Sequence, residues 1–487
     1  MKFNNRFLIF SLALLQGLIA CKKDYLDLPP YNAIPVNQAY TTEADLNTAV
    51  NGLYATLRNA ATFGRALPLK GDLMADNAYL KFGNSGRYLT FRDYNQTVAN
   101  AEANDAWNAL YVSIKNANQI INAEIAPSKI VDQIRGEAYA VRALVYFELL
   151  KNFAKPYTVD PDGLGVPVVT TFNQDLLPPR NTTKEVYAQI ISDLTKAYTL
   201  MTYNVGQSFT ITATNSTKVL NASYFTKYAA KALLARVYQS MGDWVNAKDA
   251  ALDVITNGGF SLVSNASYVG YWANPAPSTN KVETMFEISN DNSGNLATNA
   301  LAAFYQLVGY GDAWVTTELY NQYSTSDVRR QVILVNTTVS TGNTVYINNK
   351  YSNTSNAADK DDIKVLRYAD VILILAEAYA NSSDEPNALA RLNSVATNRD
   401  PGFAGYSSSG QQLKNDIISE RRKEFAFEGY RFYDLLRLNL PIPNHTKSQF
   451  PTVLLPIAAN DFHRIFPIPQ AELDVNPNIR TQQNAGY

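Results

Sequence analysis

The sequence predicts a mainly α fold, in which four tetratricopeptide-like helical hairpins support an inserted, irregular lobe, and three observations predict it. First, an alanine and a tyrosine recur three positions apart on helical stretches: Ala143 and Tyr146, Ala235 and Tyr238, Ala376 and Tyr379. The last two copies place a further alanine, Ala247 and Ala388, nine residues after the tyrosine. Met241-Gly242-Asp243-Trp244 and Asn381 to Pro386 then read as hairpin turns. Alanines let paired helices approach and the tyrosine fills the gap between hairpins, which is the packing logic of tetratricopeptide units. Gln411 to Leu438 is expected as a fourth, divergent unit. Second, long stretches rich in Gly, Asn, Pro and aromatics interrupt the repeat, so an unbroken solenoid is not expected. Third, Glu420 to Leu438, ERRKEFAFEGYRFYDLLRL, carries charges where a soluble helix ought to be apolar.

In chain order, Lys2 and Arg6 precede an apolar run, Phe7 to Ile19, too short to span a bilayer. Leu18-Ile19-Ala20-Cys21 has the form of a lipobox, so residues 1–20 read as a lipoprotein signal peptide and Cys21 as the acylated first mature residue. The alternative is a secreted chain cut at a small-residue site. Residues 21–40 are rich in Pro and Asn and read as a tether. Thr41 to Asp45 offers an N-cap for a helix burying Leu46, Val50, Leu53, Tyr54 and Leu57. A short helix at 71–77 leads to an irregular loop reaching about Asn100, with Tyr79, Phe82, Arg87, Tyr88, Phe91, Arg92 and Tyr94 among Gly and Asn. Trp107 to Ile121 is helical again, and both Trp107 and Trp244 read as core. Met201 to Ser223 reads as loop with a strand at Phe209 to Thr214. Phe260 to Tyr310 is long, polar and aromatic, and Arg329 to Tyr351 carries a hairpin signal around Ser340-Thr341-Gly342-Asn343. Helical support is expected over about 41–260 and 360–440, an inserted lobe over about 260–360, and a C-terminal segment over 441–487. All of 41–487 is expected to form one globular domain.

At 100° per residue, Leu413, Ile417, Phe425, Phe432, Leu435 and Leu436 share one face, and Arg421, Glu424 and Glu428 project into its middle. These charges, with Arg431, are therefore expected in a core. Arg421 to Glu424 and Glu428 to Arg431 are three apart, and Glu424 to Glu428 four apart, so opposite charges can meet along the helix. Gly429 lets another backbone approach or the helix kink.

Lys plus Arg is 42 and Asp plus Glu 43, a net charge of -1 that gives no reason to expect a nucleic-acid partner. With 17% charged and 46% hydrophobic residues the chain can bury a large core. Its 31 tyrosines and many amides suit hydroxyl-rich, uncharged ligands, although tyrosines also serve packing. A single cysteine excludes disulfides within the chain and multi-cysteine metal sites. The two histidines, His445 and His463, form no HExxH motif, and no GxSxG elbow is present. Asp291, Ser293 and Asn295, like Asp359, Asp361 and Asp362, lack the Gly and closing Glu of a calcium loop. A glycosidase needs only two carboxylates, and Glu424 and Glu428 are the nominees, but beside Arg421 and Arg431 they read as structural.

ERRKEFAFEGYRFYDLLRL resembles the C-terminal helix signature of the SusD/RagB family of surface lipoproteins. Two more segments agree: IFPIPQAELDVNPNIRTQQNAGY (Ile465 to Tyr487) resembles the family's FPIP, NP and GY ending, and the lipoprotein signal running into CKKDYLDLPP resembles its start. The resemblance covers nearly the whole chain. It implies a curved scaffold of four tetratricopeptide-like units with a loop-rich lobe presenting the ligand surface. It also implies a non-catalytic, cofactor-free role: a lipid-anchored protein at the outer membrane that binds an oligosaccharide or other nutrient oligomer and delivers it to a TonB-dependent barrel. The first repeat departs by lacking its second alanine, and Lys22-Lys23-Asp24 is less acidic than a strong export signal. A glycan-cleaving surface enzyme and a scaffold for protein partners are the alternatives.

The family's aromatic binding arc is not a sequence motif, so candidate contacts rest on loop context. They are Asn84, Arg87 and Tyr88 in the first loop, Tyr268, Tyr271, Trp272 and Asn274 in the second, and Tyr310 and Trp314 in the third. Flat rings cover sugar C–H faces while Asn or Arg fixes hydroxyls.

Overall fold

Thr42 starts the first helix with a capping box: Asp45 N donates to its hydroxyl at 3.2 Å, and Thr42 N donates to the Asp45 carboxylate at 2.8 Å. The computed structural model describes residues 39–487 except 174, 213, 274–281, 291–293, 341, 353–360 and 449–452. The readings of residues 1–38, including Cys21, and that of Asn274 lie outside the described residues. No helix among the described residues is long and apolar enough to cross a membrane.

The helices used below are α1 (Glu43–Leu57), α2 (Ala66–Leu73), α3 (Ala101–Ile121), α4 (Lys129–Phe153), α5 (Thr183–Leu200), α6 (Lys227–Met241), α7 (Trp244–Asn257), α8 (Tyr368–Asn381), α9 (Glu385–Arg399), α10 (Gly410–Glu424) and α11 (Arg431–Arg437). Helices α1 and α3, α4 and α5, α6 and α7, and α8 and α9 pack as four pairs. Each pair packs on the next, and the first helix of each touches the first helix of its neighbour. Ala143, Ala235, Ala247, Ala376 and Ala388 are all fully buried in this stack, where a larger side chain would force the helices apart. The two short turns share one chemistry. Asp243 accepts from Asn246 N and Asp384 from Asn387 N, and in both the asparagine amide donates back to the aspartate, at 2.7 and 2.8 Å.

One expected unit is placed differently. The fourth pair is the N-terminal α1 and α3, whereas Gln411 to Leu438 divides into α10, which packs on α8 and α9, and α11, which packs on α2. The helix cannot run through because Phe427 and Gly429 take left-handed backbone angles, φ 69° and 78°. Trp107 is buried as expected, and Trp244 is half-buried against the core.

The strands are β1 (Ala78–Leu80), β2 (Ser208–Ile211), β3 (Ser216–Val219), β4 (Thr284–Ile288), β5 (Ala313–Val315), β6 (Ile333–Asn336), β7 (Val345–Asn348), β8 (Ile363–Arg367), β9 (Ile442–Ser448) and β10 (Val453–Ile457). The expected strand near Phe209 is β2, paired with β3, and the expected hairpin after Arg329 is the antiparallel pair β6 and β7. A four-stranded sheet runs β1-β5-β7-β6, with Tyr79 opposite Trp314. The loop-rich part is therefore not the 260–360 segment alone. The stretch before α3 enters it through β1.

Candidate functional site

The elements that carry the site are fixed by the turn between α10 and α11. Gly71 and Gly429 meet there: a Cβ on Gly71 would stand 2.2 Å from the Gly429 carbonyl oxygen, and one on Gly429 would stand 2.7 Å from Pro68 Cα. This is the close backbone approach that Gly429 was expected to permit. Buried Asp72 holds the turn by accepting from Phe427 N at 3.0 Å, Gly429 N at 3.1 Å and the Asn77 amide at 2.9 Å. Burial outweighs these donors and pushes the Asp72 carboxyl up to about 6.

An acid raised above its unfolded value of 3.8 contributes stability that is complete below that pH and lost as pH rises through the folded value. The unfolding free energy of the native chain minus that of Asp72→Asn should therefore fall between about pH 4 and 6, by up to about 3 kcal/mol. Urea titrations across that range measure it, and a flat difference would refute the assignment.

Arg421, Glu424 and Glu428 are buried as expected, and Arg431 is half-buried, but none pairs along the helix. Arg421 donates to Asp370 at 2.9 Å and Asp434 at 3.0 Å, and Arg431 to Asp76 at 2.9 and 3.0 Å. Glu424 instead accepts from Arg367 at 2.7 Å, Arg399 at 3.1 Å and Arg329 at 3.2 Å. Glu428 accepts from Arg367 at 2.7 and 2.8 Å and Lys350 at 2.8 Å, while Glu283 bridges Arg367 and Arg399. Because the helix ends at Glu424, Glu428 and Arg431 are not neighbours on a helical surface, and partners arrive from β8, α9 and the β4 end. Burial pushes the Glu424 carboxyl up, but Arg399, Arg367 and Arg329 outweigh it and hold it far below the usual carboxylate range. Sealed among cations, this pair of carboxylates cannot serve as acid and nucleophile on a polymer in solvent.

Three expected contacts belong to the same interior. Tyr268, Tyr271 and Trp272 lie on a short helix, Tyr268–Ala273, and are 0%, 7% and 2% exposed. Their rings roof the charge network. Trp272 takes Lys350 at 4.6 Å, Lys364 at 4.7 Å and Arg367 at 5.3 Å, and Tyr268 takes Arg399 at 4.7 Å. The Tyr271 hydroxyl meets the Thr284 hydroxyl at 2.6 Å. The reading of these rings as ligand contacts is corrected accordingly: their faces are occupied by buried cations that need them.

The remaining candidates converge at the surface. The loop after β1 and the loop before β5 lie side by side because β1 pairs with β5 and Lys81 N donates to the Asp312 carbonyl at 2.8 Å. Lys81 Nζ donates to the Tyr310 carbonyl at 3.2 Å, and the Asp312 carboxylate accepts from the Ser85 hydroxyl at 2.5 Å. On this base the Arg87 guanidinium stacks over the Tyr310 ring at 4.5 Å. Phe82, beside them, is 94% exposed, and Val308 81%. Asn84 shapes the loop, because its amide donates to the Lys81 carbonyl at 2.8 Å and accepts from Gly86 N at 2.8 Å. Tyr88 and Trp314 are buried supports. Tyr88 stacks on Phe91 and accepts from Arg65 Nε at 2.7 Å, and Trp314 donates to the Gly311 carbonyl at 2.8 Å. Of the candidates among the described residues, then, Arg87 is exposed and Tyr310 half-buried beneath it, with Asn84 shaping the loop that carries Arg87. Phe82 was passed over as one aromatic among many. The signal that finds it is its neighbourhood: Gly83 and Gly86 have φ of 67° and 82°, a tight turn that carries the Phe82 side chain outward.

A family model described as the SusD family matches residues 334–487, and one described as starch-binding, associating with outer membrane, matches 24–239. The chain belongs to the SusD/RagB family. A SusD-like protein of Formosa agariphila, P2, is 27% identical over 99% of this chain and 100% of its own. A SusD-like protein of Bacteroides ovatus is 24% identical, covering 88% of this chain and 82% of its own. Among solved structures, a SusD superfamily protein of Bacteroides vulgatus superposes with a TM-score of 0.80 at 28% identity, covering 92% of this chain and all of the other. One from Bacteroides thetaiotaomicron gives 0.79 at 27%, covering 91% and 100%. The architecture of stacked helix pairs with a loop-rich side is therefore that of the SusD superfamily.

Proposed function

We propose that the protein is a non-catalytic, outer-membrane-associated carbohydrate-binding protein that takes its ligand on the Phe82, Arg87 and Tyr310 surface. Membership of a SusD-like, starch-binding family supports the ligand class and the membrane association. The observation that carries the site is the exposed Phe82 ring beside a guanidinium-stacked tyrosine, on two loops pinned to each other by backbone hydrogen bonds. A ring carried on a loop whose backbone is already held can cover a sugar face without ordering the chain that bears it. Acylated Cys21 is the proposed anchor. The proposed partner is a TonB-dependent barrel, docked against the stacked helix pairs, which receives the bound oligomer.

In affinity gels containing a series of polysaccharides, including starch, the mature protein should be retarded by at least one. Phe82→Ala with Tyr310→Ala should weaken that retardation roughly tenfold or more, with an unchanged circular dichroism spectrum because both residues lie in turns outside the helices and strands. Release of new reducing ends from a retarding polysaccharide would overturn the non-catalytic reading. Failure to co-isolate with any barrel from native membranes would overturn the proposed partner.

A further inference from the structure

The charges around this surface are unlike those inside. In the interior, Arg329, Arg367, Arg399, Arg421 and Arg431 all meet carboxylates within 3.2 Å. At this surface, three cations meet no carboxylate among the described residues. Arg87 is exposed and its guanidinium lies over the Tyr310 ring. Lys81 donates to a carbonyl and lies 5.9 Å from the Trp314 ring. Arg65 donates to the Tyr88 hydroxyl and to the Asn299 carbonyl and side chain, at 2.7, 3.2 and 2.9 Å, and lies over Tyr88 and Phe304 at 5.6 and 5.3 Å. One aromatic cluster joins Arg87 and Arg65, with Tyr310 packed on Phe304 at 5.4 Å and Phe304 on Tyr88 at 5.2 Å, and Lys81 reaches it through the Tyr310 carbonyl. The Asp312 carboxylate is buried and held by the Ser85 N–H and hydroxyl, and among the described residues none of the three cations forms an ion pair with it.

We infer that the bound oligomer is an anionic glycan, whose carboxylate or sulfate groups meet Arg87 and Arg65 while a sugar face rests on Phe82, with Tyr310 holding Arg87 in place. A guanidinium seated over a ring makes no hydrogen bond to it and so keeps its N–H donors for carboxylate or sulfate oxygens, which it can grip two at a time. A ring-backed cation also gives up little hydration when it pairs. A neutral polymer would gain only ordinary hydrogen bonds from three cations, and it would leave their charge unanswered in the bound state. The inference rests on the proposed carbohydrate-binding surface and narrows its substrate class.

Matched polymers test it: dextran sulfate against dextran for sulfate, and polygalacturonate against its methyl ester for carboxylate. Affinity electrophoresis should retard the mature protein with at least one anionic member and not with its neutral counterpart. Arg87→Glu should weaken that retardation roughly tenfold or more, while Arg87→Lys keeps part of it. Arg87 is exposed, so these variants leave the fold intact. Equal retardation within both pairs, retardation by neither member of either pair, or an anionic response indifferent to Arg87→Glu overturns the inference. Retention by a neutral glycan that depends on Phe82 and Tyr310 but not on Arg87 overturns it while leaving the binding surface standing. Indifference of every glycan to Phe82→Ala with Tyr310→Ala removes the surface itself.

Discussion

Replacing Glu424 by Gln is expected to cost about 3–5 kcal/mol of unfolding free energy. The side chain is fully buried, and the substitution keeps its size while removing the negative charge that three guanidiniums share. Glu283 and Glu428 remain, but Arg367 and Arg399 would then crowd two carboxylates instead of three. Burial is what makes the loss large, because solvent cannot answer for the missing charge. Urea or thermal unfolding of the purified variant measures it, and a change under about 1 kcal/mol would show that the network tolerates an unbalanced cation. Glu318→Gln is the matched control. Glu318 also accepts from an arginine, Arg422, but it is exposed, so its loss should stay within the small range of surface pairs.

The second large effect is expected at Gly71. Its residue sits inside α2 with ordinary helical backbone, where alanine would normally stabilise. Here the new methyl would stand 2.2 Å from the Gly429 carbonyl oxygen and 2.5 Å from its Cα. A backbone cannot turn aside as a flexible side chain can, so α2 and the Phe427 to Gly429 turn must separate. That movement would also pull Asp72 away from the N–H groups it holds. Gly71→Ala should therefore lower stability by about 3 kcal/mol or more. Gly52→Ala, at a helical position with nothing within 4 Å, should leave it unchanged or raise it slightly. Comparable melting temperatures for the two variants would contradict the close approach.

These two sites show where sequence reasoning reaches and where it stops. Helical periodicity was enough to place Arg421 and Glu424 in the core, because a face shared with Leu413 and Ile417 leaves them nowhere else to point, whereas Glu428 is buried beyond the end of that helix. It could not supply their partners. Spacing rules assume the helix continues, and this one ends at Glu424, so Glu428 turns to Arg367 and Lys350 instead. The buried alanines of the helix pairs were legible for the opposite reason: their neighbours lie in the adjacent helix, a short turn away. The first pair was missed because 43 residues lie between α1 and α3, so no short turn marked it.

The loops follow the same division. Tyr268, Tyr271 and Trp272 stand in a segment of loop composition, and composition cannot distinguish a ring offered to a ligand from one offered to Arg399 or Lys350. Arg87 and Tyr310 were individually legible as candidates, yet nothing in the sequence set them against each other. Their meeting depends on the pairing of β1 with β5, a three-residue ladder with no turn to announce it.

That ladder has a temporal consequence. Lys81 and Tyr310 are 229 positions apart, so the two halves of the surface are synthesised far from one another. Bringing such distant segments together incurs an entropic penalty that is offset only as the helices between them consolidate. Binding at the proposed surface would therefore depend on the helical stack between its two halves and not on either loop alone.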